Sequence, residues 1–80
     1  MEKHGDLLKR IVADPGILSG KPIIRGLRIS VEQILRQLAA GISKEQILKE
    51  FPELEPEDIL ACLEYAAQSV ESEKLFNILL

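Results

Sequence analysis

Eighty residues are enough for one small domain and not for two, so we treat 1–80 as a single domain. Apolar residues make up 46% of the chain and charged residues 29%, a balance typical of globular rather than disordered proteins. The single cysteine excludes an intrachain disulfide, and no apolar run approaches the roughly 18 residues of a membrane span. We therefore expect a cytoplasmic protein that does not contact the membrane and that a second copy could stabilise as a homodimer.

The charges are divided unevenly along the chain. Residues 1–42 carry a net charge of +3, and residues 43–80 carry a net charge of −6. Such a division is expected when two halves of a protein face different partners. It also arises when charge falls unevenly along a solvated surface, and both interpretations stay open at this point.

The segment 11–29 is predicted to be extended. The short apolar run Ile11–Ala13 is stopped by the turn sequence Asp14–Gly16, and the β-branched residues of 23–29 suit short strands around a turn at Gly26. A lone hairpin is marginal in water, so these residues must pack on helices or pair with another chain. A β-hairpin and an extended arm are both compatible with the pattern.

The segment 30–70 has the periodicity of three amphipathic helices. Their boundaries are marked by two Ser-x-x-Gln capping boxes, one glycine stop and two prolines. These markers are Ser30, Gly41, Ser43, Pro52 and Pro56. The last helix carries a predicted apolar stripe of Ile59, Leu60, Leu63, Ala66, Ala67 and Val70. We predict a mainly α fold, a tri-helical helix-turn-helix bundle with a short N-terminal β-hairpin or arm.

The segment 71–80 is an apolar C-terminal tail in which five of the last six residues are apolar. A tail of this composition favours aggregation when it is exposed, so it must fold back on its own core or dock on another chain. We favour docking on another chain, because a domain of this size has a limited core to receive it. The predicted partner-binding residues are Leu75, Phe76, Ile78, Leu79 and Leu80.

Catalysis and metal binding have little support in the sequence. The one histidine, His4, and the one cysteine, Cys62, lie at opposite ends of the chain, so they do not form a nucleophile–base pair. The acidic cluster at 53–58 is explained by capping and by the dipole of the helix that begins there. We expect no enzymatic activity, no cofactor and no metal.

Nucleic-acid binding would have to use the basic N-terminal half. Contacts to phosphate require lysine or arginine, and there is none between Glu50 and Glu73, the region of the third predicted helix. That absence argues against major-groove binding by this helix. The candidate nucleic-acid contacts are Lys21, Arg25, Arg28 and Arg36.

Six short patches of sequence occur in order between residues 11 and 70. They are Asp14-Pro15, residues 20–31 (GKPIIRGLRISV), residues 38–43 (LAAGIS), residues 51–54 (FPEL), residues 57–59 (EDI) and residues 63–66 (LEYA). Together they resemble the Domain of Unknown Function 433 family, which usually has threonine at the position of Leu27. The resemblance implies a homeodomain-like tri-helical fold and an antitoxin of the VapB type. It implies two roles, sequestering a PIN-like nuclease toxin and binding the operon's own promoter.

The leading functional hypothesis is therefore an antitoxin-like binding module. Its acidic, apolar-tailed C-terminal half would meet a basic nuclease surface, where opposite charge steers encounter. A dimeric DNA-binding transcriptional regulator is the second hypothesis, and a structural or adaptor domain without a nucleic-acid role is the third.

Overall fold

The fold of residues 4–72 is described by a computed structural model. Its elements are α1 (His4–Leu8), β1 (Ile11–Ala13), β2 (Pro22–Ile24), α2 (Val31–Ala39), α3 (Lys44–Glu50) and α4 (Pro56–Ser72). The prediction of a mainly α fold with a small hairpin is confirmed. No helix within residues 4–72 is long and apolar enough to cross a membrane.

Helix α1 was not predicted, so the described part of the chain has four helices rather than three. Leu7 is buried, and α1 packs against α4. A helix of five residues is too short to be stable alone or to show a periodic pattern. Its stability must therefore come from this contact with α4.

The hairpin forms within one chain. Strands β1 and β2 pair antiparallel, with Ile11 opposite Ile24 and Ala13 opposite Pro22. The predicted turn at Gly26 is present, but it lies after β2 and does not connect β1 to β2. It returns the chain so that Ser30 forms an isolated bridge to Ile23. The segment is therefore a hairpin closed by a longer connection, not a free arm.

The predicted helix boundaries are confirmed by local hydrogen bonds. The hydroxyl of Ser30 accepts from the amide of Gln33 at 3.0 Å, which is one half of the predicted capping box. Ser43 forms both halves of its predicted box with Gln46. Gly41, with φ +87°, lies in the left-handed conformation that allows a tight break between α2 and α3. Helix α4 continues without a break to Ser72.

The core joins the hairpin to the last three helices. Its buried members come from β2, from the segment before α2 and from α2, α3 and α4, with one residue of the loop before α4. They are Ile24, Ile29, Val31, Ile34, Ile47, Leu54, Ile59 and Cys62. Leu27, at the position where the family usually has threonine, packs against this core from the turn.

Candidate macromolecule-binding site

Arg25 lies at the tip of the turn that follows β2. Both Arg25 (φ +48°) and Gly26 (φ +83°) are left-handed, and the amide of Leu27 donates to the carbonyl of Ile24 at 2.7 Å. Two consecutive left-handed residues are typical of a type I′ turn, in which glycine is favoured because it has no Cβ. This turn directs the guanidinium of Arg25 toward the start of α4.

There the guanidinium binds the carboxylate of Asp58 with two parallel hydrogen bonds. Nε donates to Oδ1 and Nη2 donates to Oδ2, each at 2.9 Å. Nη2 also donates to the carbonyl of Glu53 at 2.9 Å. Bidentate pairing of this kind is among the stronger hydrogen bonds in proteins. The side chain of Arg25 is thereby largely committed to internal contacts.

Asp58 is fully buried and receives two further donors. Nη1 of Arg10 donates to its Oδ1 at 3.1 Å, and the amide of Glu55 donates to its Oδ2 at 2.8 Å. Burial alone would raise the pKa of Asp58, but the hydrogen bonds from Arg25, Glu55 and Arg10 outweigh it, and the net pKa is lowered. We call Arg10, Asp58 and Arg25 the buried ion cluster.

Lys21 and Arg36 share one acidic partner on the surface. Nζ of Lys21 lies 3.2 Å from Oε1 of Glu32, and Nε of Arg36 lies 3.1 Å from its Oε2. These hydrogen bonds, the one from Arg36 first and the one from Lys21 second, lower the pKa of Glu32. All three side chains are at least half exposed, so the pairs are weak and exchange with solvent.

Arg28 is exposed and, among residues 4–72, forms no side-chain hydrogen bond or ion pair. The four candidate nucleic-acid contacts are therefore not equivalent. Arg25 is held in the buried ion cluster, Lys21 and Arg36 share the single carboxylate of Glu32, and Arg28 is exposed to solvent. Whether any of them binds nucleic acid stays a prediction.

Sequence reasoning missed Arg10 and the structural role of Asp58. Asp58 was assigned to capping, and its contact with the amide of Glu55 confirms that part. The sequence also contains a signal that Asp58 is buried. Asp58 lies four residues before Cys62 and therefore on the same face of α4. A carboxylate on a core-facing position needs a cationic partner.

Helix α4 presents a second apolar face to solvent. The predicted single stripe divides in two, with Ile59 buried and Leu60, Leu63 and Val70 exposed by 50%, 46% and 48%. Ala67 is also exposed on that outer side. We call this outer row the α4 stripe. Its members are Leu60, Leu63, Ala67 and Val70.

Two hollows lie at the ends of the α4 stripe. The proximal hollow has a volume of about 260 Å³ and includes Leu60 and Leu63 in its wall. The distal hollow has a volume of about 540 Å³ and is an open groove between α2 and the second half of α4, with Val70 in its wall. Its apolar lining also includes Val31, Leu35, Ala39 and Ala66.

The charge of α4 has one sign only. Glu57, Glu64 and Glu71 recur every seven residues along the helix, and α4 contains no lysine or arginine. Seven residues make almost two helical turns, so these glutamates form one acidic edge beside the α4 stripe. Helix α4 therefore offers apolar area and negative charge together, whereas Lys21, Arg36 and Lys44 line the two hollows from the neighbouring elements.

Cys62 and the C-terminal tail are the remaining candidates. Cys62 is buried in the core, and burial first, then the charge of Asp58, raises the pKa of its thiol to about 12. The predicted partner-binding residues of the tail, Leu75, Phe76, Ile78, Leu79 and Leu80, lie outside the described residues.

Comparison with known proteins places the chain in a family. Over 56 residues it is 38% identical to the uncharacterized protein y4eO of Sinorhizobium fredii; this segment is 70% of the present chain and 25% of that protein. No solved structure matches the chain. The family model described as "Protein of unknown function (DUF433)" matches residues 11–66, which include the hairpin, α2, α3 and most of α4. The chain belongs to the DUF433 family.

Proposed function

We propose that this chain is an antitoxin-like binding module whose principal partner is a protein, a nuclease-like toxin. The observation that carries the proposal is the outer face of α4, where exposed leucines lie beside glutamates without any cation on the helix. Catalytic nucleases bind an anionic substrate and so tend to present basic surfaces, which such a face complements.

The distribution of cations supports the same proposal. Arg25 is held by the buried carboxylate of Asp58, and Lys21 and Arg36 are paired with Glu32. A phosphate backbone would have to compete with these internal partners, since it attracts the same side chains. The acidic edge of α4, by contrast, lies on a helix that carries no lysine or arginine of its own.

DNA binding as a dimeric regulator is the second candidate, and Arg28 is the observation that favours it. It is a cation without an internal partner among the described residues, and it lies just before α2. Helices α2, α3 and α4 follow one another through short turns, as in a helix-turn-helix domain. The third of these helices would enter the major groove, and its acidic edge opposes that placement.

The test is a tagged pull-down from the native host at moderate salt, with intact-mass analysis of the co-eluting protein. We expect a stoichiometric nuclease-like partner whose ribonuclease activity falls to background when the purified chain is added at an equimolar ratio. A partner that stays fully active at a large excess of the chain would contradict the proposal.

Two charge-reversed variants make this test specific. Glu64→Lys with Glu71→Lys changes the acidic edge of α4, and Glu45→Lys with Glu50→Lys makes the same change in charge on exposed residues of α3. We expect the first variant to lose inhibition and the second to keep it. A salt-titrated promoter assay with Arg28→Glu separates the DNA-binding candidate, because affinity there should fall steeply with salt and with the loss of this cation.

A further inference from the structure

We infer that the outer edge of β1 binds a second copy of this chain, so that two hairpins form one four-stranded antiparallel sheet across a two-fold axis at Val12. The proposed function uses the outer face of α4 and does not enter this inference. The two surfaces lie on different elements, so each can be tested by variants that leave the other unchanged.

The hydrogen bonds of the hairpin leave one edge of β1 open. The amide of Arg25 donates to the carbonyl of Arg10 at 2.8 Å, so these two residues form a hydrogen-bonded pair. Such pairs alternate with non-hydrogen-bonded pairs along an antiparallel ladder, and the next one joins Val12 to Ile23. The residues of β1 on either side of Val12 therefore direct their N–H and C=O groups away from β2.

These two residues are Ile11 and Ala13, and the strand opposite agrees with this geometry. The amide of Ile24 donates to the carbonyl of Ile29 on the far side of β2, at 3.1 Å, and Pro22 has no amide hydrogen to offer. Within residues 4–72 the backbone N–H and C=O groups of Ile11 and Ala13 have no hydrogen-bond partner, and Ala13 is exposed. Unpaired groups on an exposed strand edge are a template for another strand.

One two-fold register uses both open residues of each strand. It places Val12 opposite Val12 of the second copy and Ile11 opposite Ala13 of the second copy, so that each Ile11–Ala13 pair exchanges two backbone hydrogen bonds. A register centred on Ala13 would place Ile11 opposite Pro15, which has no N–H to donate. A register centred on Ile11 would require Lys9, which lies in a turn, to pair as a strand residue.

The side chains fit the same register. Val12 is 42% exposed, and β-branched side chains that face each other at a non-hydrogen-bonded pair stabilise a sheet. At the ends of the paired segment, Arg10 of one copy lies opposite Asp14 of the other, so no like charges face each other. Arg10 keeps its hydrogen bond to Asp58 and contributes to this contact only as a fixed positive charge.

The charge around this edge favours a second copy as the occupant. Residues 1–15 contain three acids and three bases, so two copies meet there without net repulsion although the whole chain carries a charge of −3. A basic nuclease surface and a phosphate backbone, the partners considered above, are both attracted by a net charge of opposite sign. A neutral edge offers neither of them this attraction.

The pairing closes at two copies. The other edge of β2 is already occupied, because Ser30 forms a bridge to Ile23 before the chain enters α2. Pro15 and the turn at Lys9 limit the open edge of β1 to three residues. A two-fold contact consumes this edge on both copies, so it leaves none for a third copy and produces a dimer rather than a fibre.

Thiol trapping tests the register at the two-fold axis. The Cα atoms of a non-hydrogen-bonded pair are about 4.5 Å apart, which lies within the range that a disulfide spans. We expect Val12→Cys to form a covalent dimer under mild oxidation at least about tenfold faster than Leu18→Cys, a similarly exposed residue outside β1. Cys62 is buried and does not compete. Equal rates for the two variants would overturn the inference.

A charge exchange at the same position tests self-pairing in solution. Val12→Lys and Val12→Glu each place like charges across the axis, so each should raise the dissociation constant of the dimer at least about tenfold in sedimentation experiments. An equimolar mixture of the two variants pairs opposite charges and should return to within about threefold of the unaltered chain. A mixture that stays monomeric where the unaltered chain dimerises would contradict the two-fold pairing.

Two further variants separate the edge from general effects on the fold. Ala13→Pro removes an N–H that is unused within one copy, so it should prevent dimerisation while urea unfolding still shows a folded chain. Leu18→Lys adds a charge outside β1 and should leave the dissociation constant within about twofold. A full chain that is monomeric up to about 1 mM and shows no preference in thiol trapping refutes the inference.

Other occupants give different results. A dimer that is insensitive to every β1 variant but is lost in Leu60→Ser with Leu63→Ser would assign self-association to the α4 stripe and overturn the inference. A nuclease partner that is released by Ala13→Pro, from a chain that is monomeric by itself, would assign the edge to a strand of that partner and overturn it equally. Failure of the toxin assay leaves the trapping result standing, because it concerns a different surface.

Discussion

Replacing Arg25 with alanine should destabilise the protein strongly, although Arg25 lies at the surface end of a turn. The substitution removes both hydrogen bonds from Arg25 to Asp58 and a third to the carbonyl of Glu53. It leaves a fully buried carboxylate with fewer donors than it needs. The expected effect is a loss of free energy of unfolding, not a local adjustment.

The size of this loss follows from the remaining partners. Removing one member of a buried ion pair costs about 3–5 kcal/mol. Arg10 and the amide of Glu55 continue to donate to Asp58, and Arg25 itself is 34% exposed, so the effect lies below the upper part of this range. We expect about 2–3 kcal/mol, which lowers Tm by about 10–20 °C in a domain of this size.

The assay is urea unfolding followed by circular dichroism, with Arg28→Ala as the control. Arg28 is an exposed arginine on the other side of the same turn, and it has no internal partner among the described residues. Its removal should change stability by less than about 0.5 kcal/mol. If both variants unfold at the same urea concentration, the buried ion cluster does not stabilise the fold and the reasoning is refuted.

Three further predictions follow from other local features. Because the pKa of Asp58 is lowered in the folded protein, its stabilising contribution is present above the unfolded-state pKa of about 3.9 and is lost as pH falls through the lower folded-state value. Acid unfolding of Arg25→Ala should therefore begin at a higher pH than that of the unaltered chain, and identical acid midpoints would contradict this. Gly41→Ala should cost about 1 kcal/mol by urea unfolding, since no atom lies within 4 Å of the added Cβ and only the positive φ opposes it; Gly41→Asn should cost less. The thiol of Cys62 should react with a maleimide only as fast as the protein opens, because it is buried and its pKa is raised to about 12; labelling of the native protein at the rate of a free thiol would exclude this.

The sequence predicted those features that depend on neighbouring residues. The helix ends could be predicted because a cap or a left-handed stop depends only on contacts and backbone angles within a few residues. They are marked by Ser30, Ser43 and Gly41. Helix α1 escaped prediction because five residues have no measurable period and their stability comes from contact with α4.

The candidate site was harder to predict from the sequence because its residues are distant from one another along the chain. Arg25 and Asp58 are 33 residues apart, and nothing local indicates that they meet. The outer face of α4 was also hidden, because Ile59 and Leu60 are adjacent in sequence and point to different sides of the helix. The packing of α1, α2, α3 and β1 against α4 decides which of the apolar residues are covered.

The long span of the buried ion cluster has a consequence for the order in which the molecule opens. Helices α2, α3 and α4 are joined by short loops, whereas the bonds from Arg10 and Arg25 to Asp58 close segments of 48 and 33 residues. Closing longer loops costs more chain entropy, and contacts between distant residues form later in folding. Strand β1, which is only partly buried, should then detach with α1 before the helices of the core unfold, whereas β2 stays packed through Ile23 and Ile24. In hydrogen exchange, the amides paired between β1 and β2 would exchange together and earlier than those of α4.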